Sequence, residues 1–280
     1  MRALLLSLLL ITAILGGACA AFEDDGARAP SASTPATSPS TVTEDGETGV
    51  DAEVSIVIAP GVKGRVDEAL VLDAYRRAAA QGEQDFGIRP ERPVTIYIDP
   101  DSAIGLEDAL GLSAKYAIHL RAGRTERMET LMPLMMHEYM HVLQYDTGRL
   151  RPQWWIEGQA EHQAQRVADP GRAQRNRDTL LSSLAADVRN GRAPSLASLR
   201  GSTGWDEYIK RSGAGRAYGW GQAAVTFIED GWGFGAVTRI VTDTTGPNTA
   251  SSFDEAVRRE IGLDANQFEK GLHEWLLRQG

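Results

Sequence analysis

His137, Glu138 and His141 stand in the order H-E-x-x-H, within the run Met135-Met136-His137-Glu138-Tyr139-Met140-His141. On a helix, side chains four residues apart leave the same face, so both imidazoles can grip one ion. Glu138 projects beside them, where a carboxylate can take a proton from a water activated by that ion. Two neutral imidazoles and one carboxylate leave a fourth position open on zinc, which is the layout of a catalytic rather than a structural site. A carboxylate for that purpose follows in the run Trp154-Trp155-Ile156-Glu157-Gly158-Gln159-Ala160-Glu161. Spacing alone leaves two candidates, since fifteen residues separate His141 from Glu157 and nineteen separate it from Glu161. An H-E-x-x-H can also arise by chance on an amphipathic helix. Here the flanking Leu134, Met135, Met136, Met140, Val142 and Leu143 are apolar and can bury such a helix around a site.

Together the two runs resemble the gluzincin metallopeptidases, in which two histidines of one helix and a glutamate of the next hold zinc. Trp154 to Ala160 is similar to the W-L-N-E-G-x-A segment of aminopeptidase N-type enzymes. Pro152 to Glu161 is closer still to the P-x-W-x-x-E-G-x-A-E of small bacterial peptidases of that superfamily. The resemblance covers roughly the last 230 residues, strongly at these motifs and loosely elsewhere. It implies zinc held by His137, His141 and Glu157, with Glu138 as general base. The spacing of Glu161 matches that of thermolysin, but the W-x-x-E-G-x-A context places Glu157 in the ligand position. Glu161 then lies one turn on, able to accept a hydrogen bond from the far nitrogen of a ligand histidine and fix its tautomer.

Hydrolysis also needs a donor for the developing oxyanion. The run Arg216-Ala217-Tyr218-Gly219-Trp220-Gly221-Gln222-Ala223-Ala224 is similar to the helix start that carries the catalytic tyrosine in aminopeptidase N-type enzymes, which implies Tyr218 in that role. Tyr208 is the alternative. Two departures from the pattern matter. No G-x-M-E-N segment precedes His137, which points away from an exopeptidase and toward cleavage of internal peptide bonds. Ile156 stands where those enzymes have the asparagine of W-L-N-E. The function so implied is zinc-dependent hydrolysis of peptide or protein substrates. The rival readings are a zinc-binding envelope lipoprotein without turnover and an adaptor. An intact Glu138 speaks against the first, because holding zinc does not require it.

Such a site needs rigid backbone. The β-branched runs at 54–58 and 93–98 read as strands, with a third at 116–120. Helical patterning is expected over 65–84, 130–147, 154–167, 173–190, 217–230, 235–243, 252–261 and 265–278. A start near Thr130 would put Pro133 in the first turn, where proline is tolerated. A small N-terminal sheet with helices, followed by a mainly helical part that resembles a zincin peptidase, is an α+β order. One domain over 53–280 is long enough to bury a substantial core.

Ahead of it, Met1-Arg2 and the apolar run Ala3 to Leu15 have the proportions of an export signal. Gly16-Gly17-Ala18-Cys19 reads as a lipoprotein cleavage box, so 1–19 is expected to be a signal peptide with Cys19 as lipid anchor. The destination is then the cell envelope, on the outer face of a bacterial membrane; ordinary cleavage at the same place would secrete the protein. Residues 20–52, rich in Ser, Thr and Pro and then in acids, are expected to form a disordered tether. Cys19 is the only cysteine, so no intrachain disulfide is available. A formal net charge of -9 offers no attraction to nucleic acid or anionic lipid. His119, His162 and His273 read as structural, although His119 could contact peptide. The tryptophans read as packing residues, with Trp154 near enough to the ligands to wall the site. Nothing in the sequence bears on oligomeric state.

Overall fold

A computed structural model describes residues 54–101, 111–147, 151–243 and 250–280. The expected signal peptide, Cys19 and the tether lie outside the described residues. Four strands form one sheet: β1 (Val54–Ile58), β2 (Val94–Asp99), β3 (Gly111–Ala114) and β4 (Ala117–Arg121), in the order β1-β2-β4-β3. β1, β2 and β4 run parallel, with Val54 opposite Val94 and Ile96 opposite Ile118; β3 closes the edge antiparallel to β4. Alternation along β2 and β4 sends Val94, Ile96, Ile98, Ile118 and Leu120 to one buried face. Three strands are expected from the sequence and four are present among the described residues. β3 escapes notice because Gly111-Leu112-Ser113-Ala114 has no β-branched residue, and its pairing with β4 holds it.

The first helix, α1 (Glu68–Phe86), starts three residues later than the pattern suggests. The Asp67 side chain caps it by accepting a hydrogen bond from the Leu70 N–H, and Pro60–Arg65 forms a separate 3-10 turn. Its buried face, from Val71 to Phe86, joins the apolar face of the sheet and the next helix, α2 (Met128–Asp146), in one core. α2 begins at Met128 rather than Thr130, so Pro133 falls in its second turn. The Pro133 nitrogen cannot bond the Glu129 carbonyl there.

The helices that follow are α3 (Gln153–Val167), α4 (Pro170–Arg189), α5 (Ser202–Ser212), α6 (Ala214–Trp232), α7 (Phe234–Thr242), α8 (Ala250–Ile261) and α9 (Ala265–Gln279). α5 is not expected from the pattern; Gly201 and Gly204 mask it. Its Gly204 sits where a β-carbon would meet the Ser198 carbonyl oxygen at 2.1 Å. A mostly helical molecule with a small sheet toward its N-terminal side is an α+β fold, as expected. No helix among the described residues is long and apolar enough to cross a membrane.

One crossing sets the position of everything near His137. α3 packs against α2 on one side and α6 on the other. At its contact with α6, a β-carbon on Gly158 would stand 2.1 Å from the Gly221 carbonyl carbon, and one on Gly221 would stand 2.2 Å from the Trp154 carbonyl oxygen. Backbone therefore meets backbone, which only two glycines allow. Trp154 packs against Trp155, Phe253 and Phe268 in the core, not on the site. Trp155, Trp205, Trp220 and Trp275 are also buried, whereas Trp232 at the end of α6 is exposed.

Candidate metal centre

α2 carries His137 and His141 a little over one turn apart, and their Nε2 atoms lie 3.1 Å from each other. α3 brings Glu157 opposite, with its Oε2 at 3.6 Å from His137 Nε2 and 3.5 Å from His141 Nε2. Four-coordinate zinc with bonds of ~2.0–2.1 Å separates neighbouring donor atoms by about 3.3 Å, so the three distances suit one tetrahedral ion. All three residues are buried and form a group able to hold a metal. Glu157 Oε2 is itself buried without a hydrogen-bond partner. An orphaned carboxylate oxygen aimed between two imidazoles is costly unless a cation satisfies it, so the donor set fits the expected metal. Burial pushes the Glu157 carboxyl up, but the imidazoles of His141 and His137 facing it outweigh this and hold the group down at about 2.

The surroundings orient these donors. His141 Nδ1 lies 2.9 Å from Gln144 Oε1. The Gln144 amide nitrogen donates to the Ile156 carbonyl at 3.0 Å and to Gln159 Oε1 at 2.7 Å. With that nitrogen committed to two acceptors, Gln144 Oε1 must accept the His141 Nδ1–H, which leaves Nε2 bare for a metal. Gln153 Nε2 donates to Glu157 Oε1 at 3.0 Å and fixes the other half of that carboxylate. Glu161 Oε1 stands 3.4 Å from His137 Nδ1, on the far side of the ring from Glu157.

Glu138 turns toward the sheet edge. Ser113 Oγ on β3 donates to its Oε2 at 2.7 Å and lies 2.9 Å from its backbone carbonyl. A β-carbon at Gly111 would stand 2.4 Å from Glu138 Oε1, so only glycine leaves room for the carboxylate. Tyr218, near the start of α6, is buried with its ring centroid 6.1 Å from that of His137. Tyr208 is buried too, and its hydroxyl accepts a hydrogen bond from Trp220 Nε1 at 3.0 Å. A cleft of about 90 Å³ opens beside His137, Glu138 and Glu161, walled by Pro133 and Leu134 of α2 and Ala164 of α3.

The three remaining histidines sit elsewhere. His119 stacks on Tyr97 and bonds Asp99 Oδ2 through Nδ1 at 2.9 Å. His162 bonds Glu229 Oε2 through Nε2 at 2.6 Å, tying α3 to α6. His273 meets the edge of Trp220, and burial lowers its pKa.

Sequence reasoning names His137, Glu138, His141, Glu157, Glu161 and Tyr218, and the structure gathers all six. It misses Gln144, Gln153, Ser113 and Gly111. The two glutamines carried a weak signal, at three residues after His141 and four before Glu157 on the same helical faces. Ser113 and Gly111 carried none, because β3 is not legible as a strand. The class that fold and site define is thus an α+β protein with a buried His-His-Glu cluster of metal-binding geometry. Set against known proteins, the chain matches no family model and no curated protein.

Proposed function

We propose that this protein is a zinc-dependent peptidase of gluzincin type that hydrolyses internal peptide bonds. The observation that carries the reading is the orphaned Glu157 Oε2 facing two imidazole Nε2 atoms, with Glu138 on the cleft beside them. When bound by His137, His141 and Glu157, zinc supplies a Lewis acid that polarises a carbonyl and makes water more acidic. Glu138 is the base. Ser113 holds its Oε2, and Oε1 accepts the proton of the attacking water, then returns it to the leaving amine. Tyr218 flanks His137 and is the donor expected to meet the oxyanion. Gln144 and Glu161 keep the two imidazoles in their tautomers. Read with the signal-like N-terminus, the substrate is a peptide or protein outside the cytoplasm, met by an anchored or secreted enzyme. A zinc-holding protein without turnover would need the histidines and Glu157, but not a carboxylate set by Ser113 on the open cleft.

Glu138→Gln is nearly isosteric and cannot serve as a base. It should keep zinc content and fold but lose digestion of a mixed peptide library by at least about 100-fold. Unchanged turnover in this variant, measured by mass spectrometry of the products, would remove the mechanism.

A further inference from the structure

The cleft beside His137 and Glu138 is also lined by two arginines. Arg124, at the end of the 3-10 turn that follows β4, and Arg172, in the first turn of α4, both line it. Both are half-buried. Among the described residues, neither guanidinium has an ion-pair or side-chain hydrogen-bond partner, unlike Arg166 and Arg177 nearby. Arg166 on α3 pairs with Glu229 at 3.0 Å, and Arg177 on α4 pairs with Asp230 at 2.7 Å. An arginine cannot lose its charge, and desolvating it in a cleft without a counter-charge is unfavourable. Asn176 and Thr130 also line the cleft and add an amide and a hydroxyl. Glu129 also lines the cleft, but it is exposed and solvent screens it. The remaining carboxylates there, Glu138 and Glu161, face Ser113 and His137 respectively.

We infer that Arg124 and Arg172 form a carboxylate-binding subsite, so that the preferred substrates carry a carboxylate close to the bond that is cut. The inference rests on the peptidase reading for the words "substrate" and "cut", but the subsite itself is a binding claim. A guanidinium fork matches a carboxylate in two parallel hydrogen bonds, and the apolar wall of Pro133, Leu134 and Ala164 excludes competing water. A substrate held in the cleft would present its scissile carbonyl to His137 and Glu138 and its carboxylate to the arginines. That carboxylate belongs either to an Asp or Glu side chain or to a free C-terminus; the chemistry is shared.

The test uses zinc-loaded full-length protein and peptide pairs that differ in one group. One pair replaces Glu by Gln near the cut, and the other replaces a free C-terminal carboxylate by its amide. Wild type should favour one carboxylate member by roughly 10- to 100-fold in kcat/KM, the size of a hydrogen bond to a charged group, and the favoured pair identifies the source. Arg124→Gln and Arg172→Gln should each erase most of that preference, lowering kcat/KM for the carboxylate member far more than for its neutral counterpart. Equilibrium binding of the same pairs to the Glu138→Gln protein, and to that protein carrying either arginine change, reads the subsite without turnover. Peptides cut without carboxylate preference, or a preference that survives both arginine changes, would overturn the subsite and leave the peptidase standing. Arginine-dependent binding of carboxylate peptides by a wild type that cuts nothing would do the reverse.

Discussion

At the scale of single residues, the proposed metal site depends on which oxygen faces the two imidazoles and what holds it there. Glu157 lies between both Nε2 atoms, whereas Glu161 reaches only the Nδ1 side of His137. Glu157→Gln should therefore weaken zinc binding severely. Glu161→Gln and Gln144→Ala should do so by the roughly 10–100-fold typical of a lost outer partner. Zinc titration against a competing chelator at fixed pH ranks them, with the double Glu157/Glu161 variant included because each acid can partly replace the other. A Glu157 variant that binds zinc like wild type, beside a Glu161 variant that does not, would reverse the assignment.

Between elements, the α3–α6 contact decides where Glu157 and Tyr218 stand. Alanine normally improves a helix over glycine by roughly 0.5–1 kcal/mol. At Gly158 the added methyl would enter the backbone of α6, so Gly158→Ala should instead destabilise by about 1–3 kcal/mol or more. It should also lower zinc affinity, since both helices must shift. Gly231→Ala, on the same α6 with nothing near its β-carbon, is the control and should be neutral or stabilising. Urea midpoints of the two variants carry opposite signs if the crossing is as described.

The same pair of helices is also joined by Glu229. The hydrogen bond from His162 holds its carboxyl below the ordinary range, burial opposes this, and the charges of His162, Arg166 and Arg177 add to the lowering. A carboxyl depressed on folding adds stability above its unfolded value near pH ~4.3 and loses it as pH falls through the folded value. Glu229→Gln should thus be less stable than wild type at pH 7, and the gap should close in acid, below about pH 4. Urea unfolding at pH 7 and pH 3 reads this directly, and a gap that does not change with pH would exclude the linkage.

For the molecule as a whole, a metal held by His137, His141 and Glu157 would add to stability as well as supply chemistry. A ligand that binds only the folded state at 100 times its Kd adds about 2.7 kcal/mol. In a domain of this length that is about 5–10 °C in Tm. Zinc should raise the Tm of wild type by this order and chelation should remove the gain, while His137→Ala should respond to neither. Calorimetry with matched metal and chelator additions measures it. An equal zinc response in the histidine variant would place the stabilising ion elsewhere.

The N-terminal strands with α1 between the first two, and the periodicity of α1, α2 and α3, were legible because each depends on local pattern. So were His137, Glu138 and His141, whose spacing alone puts them on adjacent helical positions. Glu157 was legible from its neighbours, and the reason is now physical: the glycine after it admits α6, and the second glycine of that contact lies three residues past Tyr218. What the sequence alone left open were the groups that act across distance. β3 is a strand only because β4 offers it partners, and Ser113 meets Glu138 only because β3 lies along α2. Gln144 orients His141 only once α3 presents the Ile156 carbonyl and Gln159 to its amide. Arg124 and Arg172, far apart in the chain, line one cleft only after the fold brings them together. Local spacing is set by the covalent chain, and these meetings are set by packing, which tertiary structure alone decides.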